Sequence, residues 1–240
     1  MSTIVVIGGG AAGFFAAIAS AEANPDHRVI LLEKGKEVLG KVLISGGGRC
    51  NVTHACFDPK ELATHYPRGS KELLGPLHKF QPGDTMEWFA DRGVELKIEG
   101  DNRVFPITDS SSTIANCLIE MAEGAHVEIK KTSGVKTFSQ TEDGGWKVFM
   151  TSGDALRADK LMIATGSSKG VWEQLKKVGH KIIPPVPSLF TFNIKDPRIN
   201  GLSGISLPNA TIQVASSDLE SSGPLLITHW GMSGPAVLRL

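Results

Sequence analysis

Five consecutive β-branched residues, Thr3-Ile4-Val5-Val6-Ile7, run directly into Gly8-Gly9-Gly10-Ala11-Ala12-Gly13. A run of that kind reads as a strand buried on both faces. Ala11–Ala23 is rich in helix formers and stops at Asn24-Pro25, and Arg28–Leu32 is a second buried strand. Strand, tight turn, helix and strand in this order require a right-handed crossover and a parallel sheet. The glycines fit G-x-G-x-x-G, and each has its own physical task. Gly8 allows the tight turn, Gly10 lets backbone approach a pyrophosphate, and Gly13 permits close helix–strand packing. The helix N-terminus adds unpaired N–H groups and the positive end of its dipole. Glu33, at the end of the second strand, is placed to accept hydrogen bonds from an adenosine ribose and to repel a 2′-phosphate.

Downstream, residues 34–57 read as a glycine-rich loop, and helical stretches follow at 59–66, 70–79 and 84–91. A further helix is expected over Ser112–Ala122. His126–Lys131, Val135–Gln140 and Trp146–Thr151 carry β-branched or alternating residues, with Asp143-Gly144-Gly145 turning the last pair. They read together as a small antiparallel meander. Lys160–Ala164 returns to a buried strand. Beyond Pro184-Pro185-Val186-Pro187 helix formers thin out, and short strands are expected at Thr191–Ile194, Thr211–Val214 and Leu225–Thr228. The fold class is therefore α/β, a Rossmann-like domain with a parallel sheet and an antiparallel meander over 1–188. The start of a β-rich inserted domain follows over 189–240. Ser233-Gly234-Pro235 opens an apolar helix that ends with the sequence, and one or two turns are not stable alone. A longer domain is expected, as is a further strand completing the parallel sheet.

Composition excludes several function classes. Lys plus Arg and Asp plus Glu are both 25, so the basic excess of a nucleic-acid binder is absent. Met1–Ala21 has no charged residue, but it lacks a basic leader and is broken by four glycines, which argues against a signal peptide or membrane anchor. The three cysteines, Cys50, Cys56 and Cys117, have no CxxC spacing. That fits a reducing cytoplasm better than a disulfide framework or a zinc site. No metal-ligand spacing is visible, and His27, His65, His78, His126 and His180 are scattered.

Two features favour FAD over NAD. A second glycine-rich cradle, Gly40-Lys41-Val42-Leu43-Ile44-Ser45-Gly46-Gly47-Gly48-Arg49-Cys50-Asn51, follows the ribose acid, and Ala164-Thr165-Gly166 ends the later strand. No second G-x-G-x-x-G is present, so a dedicated nicotinamide domain is not expected within this chain. With GGGAAG, the strings GKVLISGGGRCNVTH, NRVFPITDSS, LMIATG and THWGMSGPAVL resemble the bacterial FAD-binding flavoprotein family that includes aminoacetone oxidases and bile-acid dehydro-reductases. The resemblance implies cofactor contacts at Gly10, Ala12, Glu33, Lys41, Ser45, Gly47, Arg49, Cys50 and Asn51. It places Val135 near the adenine and Thr165 and Gly166 near the pyrophosphate. Members of that family continue beyond the end of this sequence.

The expected activity is FAD-dependent oxidoreduction, with a hydride equivalent passing between flavin and a small organic substrate. NAD(P)H or oxygen is the expected redox partner. A flavin-binding module without turnover is the reading from another class. Cys50 and Cys56 lie in a loop where flavin disulfide reductases keep a redox pair, but that chemistry needs a nucleophilic thiolate and a second thiol in bonding reach. The better reading makes Cys50 a small packing residue and Cys56 a chance neighbour. The string Thr228-His229-Trp230-Gly231-Met232-Ser233 has two open readings. It presents Thr228, His229 and Ser233 to a flavin, or it is a junction turn with a capping serine.

Overall fold

The computed structural model describes residues 1–186 and 191–240. It divides into two compact units, residues 1–182 and 183–240. The boundary expected at residue 188 lies outside the described residues.

The first unit opens with β1 (Thr3–Ile7), α1 (Ala11–Ala23) and β2 (Arg28–Leu32), at the bounds read from the sequence. Next come α2 (Gly40–Ile44), a 3-10 turn (Ser45–Gly48) and β3 (Thr53–His54), so the expected loop over 34–57 holds a short helix and a strand. Then follow α3 (Pro59–Thr64), α4 (Ser70–Lys79) and α5 (Pro82–Ala90). Asp58 caps α3 by accepting from the backbone N–H groups of Lys60 and Glu61, each at 2.8 Å. Two strands not expected, β4 (Leu96–Ile98) and β5 (Arg103–Pro106), pair with β3 in the order β3-β5-β4. After α6 (Ser111–Gly124) come β6 (Glu128–Lys130), β7 (Val135–Gln140), β8 (Trp146–Met150), β9 (Ala155–Ala158), β10 (Lys160–Ile163) and α7 (Lys169–Lys177).

The central sheet has the order β10-β1-β2-β6 and is parallel throughout. The segment His126–Lys131, expected in the meander, is corrected here. Its strand β6 pairs with β2, and β9 supplies the third strand of the meander β7-β8-β9. Asp159 alone separates β9 from β10. Its carboxylate accepts from Thr3 N–H at 2.7 Å and its own N–H donates to the Thr3 carbonyl at 2.8 Å, which carries the chain from one sheet to the other.

Alternation along the strands builds three layers. Val6, Val29 and Leu31 pack with Phe14, Ala17 and Ile18 of α1 and Ile114, Ala115 and Leu118 of α6. Val5, Ile7, Ile30 and Leu32 pack on the other side with Phe138, Val148 and Ala158 of the meander, backed by Val171 and Leu175 of α7. Burial on both faces is the physical reason that Ile4–Ile7 and Val29–Leu32 are continuously apolar.

The second unit is a four-stranded antiparallel sheet of order β11-β14-β13-β12. Its strands are β11 (Phe192–Asn193), β12 (Ser206–Gln213), β13 (Glu220–Thr228) and β14 (Gly231–Ser233), followed by α8 (Pro235–Leu238). A Cβ on Gly231 would lie 2.0 Å from the Phe192 carbonyl oxygen, so the β11–β14 pairing requires glycine there.

Among the described residues no helix is long and apolar enough to cross a membrane.

Candidate functional site

The candidate site lies at the carboxyl ends of β1, β2 and β10, where open α/β sheets place ligands. Gly8 turns the chain with φ +115°. Its N–H donates to the Leu32 carbonyl at 2.8 Å, and a Cβ on it would lie 2.4 Å from the Ala164 oxygen and 3.1 Å from the Thr165 Cα. A Cβ on Gly13 would lie 1.8 Å from the Gly8 carbonyl oxygen, so these two glycines serve packing. Gly10 differs. It precedes α1 with φ −94° and ψ −174°, offers no capping side chain, and has no atom within 4 Å of where a Cβ would sit. The one fingerprint position with open space is the one whose glycine is read as admitting a ligand, and the first N–H groups of α1 have no intrahelical acceptor.

Glu33 closes this turn. Its Oε2 accepts from Gly9 N–H at 2.8 Å and its Oε1 from Gly35 N–H at 2.7 Å. Each oxygen keeps a further lone-pair direction for a ribose hydroxyl. Gly9, to which the sequence assigned no part, therefore anchors the acid at one end. At the other, the Gly9 carbonyl accepts from Leu39 N–H at 2.7 Å, just before α2. Lys41 of α2 brings its Nζ within 3.6 Å of where a Gly166 Cβ would sit, across 125 residues of sequence. Gly8, Gly10, Ala12, Gly13, Glu33, Lys41, Thr165 and Gly166 thus belong to one locality.

Val135 borders it on the meander side. Ser133 N–H donates to the Glu33 carbonyl at 2.7 Å, and a Cβ on Gly134 would lie 3.5 Å from the Lys34 Cβ. Val135 lines a cleft of about 210 Å³ with Ile7, Thr137, Phe138, Ser168 and Val171. Thr137 Oγ1 donates to Gln174 Oε1 at 2.9 Å at its side, a contact that no sequence signal marked.

The second cradle continues from α2. Gly46, Gly47 and Gly48 have φ of +55°, +70° and +86°, and Cys50, a non-glycine residue, has +62°. Cβ positions on Gly47 and Gly48 meet no atom within 4 Å, so their backbone faces open space. Ser45 Oγ donates to the Val42 carbonyl at 3.0 Å, and Asn51 is exposed. Arg49 has partners within the chain: Nη1 donates to Glu99 Oε1 at 2.6 Å and its guanidinium lies 4.0 Å from the Phe105 ring centroid. Both Cys50 and Cys56 are buried and free of disulfide. Burial pushes both thiols up; a Ser45 hydrogen bond partly offsets this at Cys50, and the Glu61 charge adds to it at Cys56.

In the second unit, Thr228 and His229 line a cleft of about 180 Å³ with Ile199, Asn200, Ser203 and Gly231. His229 is exposed and stacks edge-on against Trp230, ring centroids 4.2 Å apart. The Thr228 hydroxyl is buried and, among the described residues, has no hydrogen-bond partner. Ser233 lies in β14 opposite Leu226 of β13, rather than in a turn. Among the described residues, no group of His, Cys, Asp and Glu could hold a metal ion.

Comparison with known proteins accords with this geometry. Residues 2–233 match the family model of the HI0933-like protein Rossmann domain. A 3-dehydro-bile acid delta(4,6)-reductase of Clostridium scindens is 28% identical over 250 residues, covering 100% of this chain and 60% of that protein. A ribosomal RNA dihydrouridine synthase of Escherichia coli is 28% identical over 247 residues, covering 98% of this chain and 59% of that protein. The chain thus spans about three-fifths of the length of these curated relatives. Among solved structures, that of AlpK superposes with a TM-score of 0.51 at 15% identity, covering 99% of this chain and 45% of that one, a likeness of fold. The chain belongs to the HI0933-like Rossmann-domain family, an FAD-binding family.

Proposed function

We propose that the chain holds the FAD site of a reductase acting on a carbon–carbon double bond conjugated to a carbonyl. The observation that carries the cofactor half is the open space at Gly10, between two glycines that packing requires, with Glu33 fixed at the end of β2. The α1 N-terminus, Gly10 and Ala12 take the pyrophosphate, with Thr165, Gly166 and Lys41 on its other side. Glu33 takes the ribose and the Val135 cleft the adenine. The backbone of Ser45, Gly47, Cys50 and Asn51 supports the flavin. Bound FAD supplies the hydride chemistry, and the protein binds it, orients it and keeps water away.

The substrate half rests on two relatives that share this chemistry under different names. Reduction in a 3-dehydro-bile acid acts on double bonds conjugated to the 3-oxo group, and dihydrouridine forms by reduction of a uracil double bond conjugated to a ring carbonyl. Balanced charge in this chain favours a small molecule over RNA. Thr228 and His229 are the residues proposed to meet the substrate. The buried, protonated thiols argue against disulfide-reductase chemistry at Cys50 and Cys56.

The test is anaerobic. Flavin is reduced with NADH or NADPH, then mixed in separate experiments with a 3-oxo-Δ4 steroid, uridine-containing RNA, and oxygen. Rapid reoxidation by one conjugated acceptor, with the saturated product formed, supports the reading. Oxidation of an added amine such as aminoacetone with oxygen as sole acceptor would replace it with the oxidase reading. A flavin inert to every donor and acceptor would favour a module without turnover.

A further inference from the structure

We propose that Arg49 is a positioning residue whose guanidinium clamps the Ser45–Asn51 cradle onto the β3-β5-β4 sheet, fixing the backbone shape that FAD meets. The inference rests on the FAD reading above and gives Arg49 a task other than touching the cofactor.

The contacts are specific. Nη1 of Arg49 donates to Glu99 Oε1 at 2.6 Å and to Asp109 Oδ1 at 3.3 Å, Nη2 donates to Glu99 Oε2 at 3.4 Å, and one face of the fork lies over Phe105 at 4.0 Å. Both carboxylates are themselves held. Lys97 Nζ donates to Asp109, Arg103 Nη2 donates to Glu99 at 3.4 Å, and Arg103 Nε donates to Asp101 at 2.7 Å. Three cations thus meet three carboxylates around one aromatic ring. A guanidinium already paired with two carboxylates has less charge to offer a phosphate than a free one. Its side chain is 32% exposed and that of Glu99 27%, so solvent screens the pair only in part.

The cradle has a reason to need such a clamp. Gly46, Gly47, Gly48 and Cys50 all sit at positive φ, and Arg49 lies between the last two. A left-handed non-glycine residue such as Cys50 persists only where its surroundings over-determine it. The cradle also rests directly on the clamp's ring, because a Cβ on Gly46 would lie 2.8 Å from Phe105 Cε1. Backbone strain and side-chain anchoring meet within a few residues.

The test uses the full chain with Arg49→Met, Glu99→Gln, the double variant and Arg49→Lys. FAD affinity is read by fluorescence, the bound flavin by visible circular dichroism, and the apo-protein by its thermal midpoint. Each single variant should weaken FAD about three- to tenfold, and the double no further than Arg49→Met alone, because that change already removes the Arg49–Glu99 interaction. All should change the flavin dichroism alike. Lysine should recover only part, since a point charge reproduces neither the fork nor the stacking. If Arg49→Met weakens FAD while Glu99→Gln leaves it unchanged or tighter, Arg49 touches the cofactor and the clamp is wrong. If all variants lower the midpoint while affinity and dichroism stay put, the pair is structural only, and the clamp is equally wrong. Unmutated protein that binds no FAD would refute the FAD reading itself before any variant is compared.

Discussion

Gly10 and Gly13 are three residues apart in one fingerprint, yet alanine at each should produce opposite phenotypes. At Gly13 a Cβ would sit 1.8 Å from the Gly8 carbonyl oxygen, while real Cβ atoms keep about 3 Å or more, so the start of α1 must move over 1 Å from the turn. The turn has nowhere to go: Gly8 N–H is bonded to Leu32, and its α-carbon faces the Ala164 carbonyl. Backbone displacement of this kind costs about 3 kcal/mol. For a unit of this size that lowers the midpoint by roughly 6–12 °C. At Gly10 the backbone is already in a region open to any L-residue, and the Cβ meets nothing within 4 Å. Alanine is a poorer helix cap by a few tenths to 1 kcal/mol, and it restricts the unfolded chain by about 0.4–1 kcal/mol, so the two nearly cancel. The apo-protein should therefore melt within about 4 °C of the parent. The cofactor should notice the change. A pyrophosphate bonded to the α1 N-terminus needs the volume that the new methyl fills, and losing two charge-assisted hydrogen bonds costs about 3 kcal/mol or more, at least a hundredfold in affinity. Thermal midpoints of the apo-proteins and fluorescence titration with FAD decide it. Gly10→Ala purifying yellow with stoichiometric FAD, or Gly13→Ala melting like the parent, would refute the division of labour.

Three further outcomes are expected. Because burial raises the Cys50 and Cys56 thiols, alkylation by iodoacetamide should be slow at neutral pH and should accelerate only at a higher pH than an exposed thiol requires. The double serine variant should also keep flavin reduction within a few-fold, and labelling faster than a free thiol at pH 7 would revive the redox pair. In the second unit, the side-chain hydrogen bond from Arg198, with the backbone N–H of the same residue, holds the Asp196 carboxyl at about 2. Its folded value is depressed, so its stabilisation is present above the ordinary value near 4 and is lost as pH falls towards 2. Carboxyl-carbon NMR that finds it titrating near 4 would show that the pair does not hold in solution. Thr228→Val removes a buried hydroxyl that has no partner among the described residues while keeping its shape, so it should be neutral or stabilise by up to about 1 kcal/mol. A larger loss in denaturant melts would reveal a partner bound there.

What the sequence discloses and what it hides divide along a physical line. β1, α1 and β2 were legible because burial on two faces and a glycine turn leave marks within a few residues of one another. α2 was not, because Lys41–Ile44 between glycines is too short to form a helix alone. Tertiary bonds hold it: Leu39 N–H to the Gly9 carbonyl at one end, and Ser111 Oγ to the Leu43 carbonyl at 2.7 Å near the other. β6 looked like its meander neighbours, since parallel and antiparallel strands share one alternation. Its place is set instead by the α6 crossover and by Arg28, whose Nε donates to Glu128 Oε1 at 2.6 Å from the neighbouring strand. The same separation governs the site. GGGRCN and NRVFPITDSS each stood out as strings, but only folding sets Arg49 on Phe105 and against Asp109, fifty-six and sixty residues away. The arginine that the family resemblance implies as a cofactor contact is, in three dimensions, paired with two carboxylates. An arginine in a glycine cradle can thus be assigned to a ligand only after the carboxylates that fold onto it have been found.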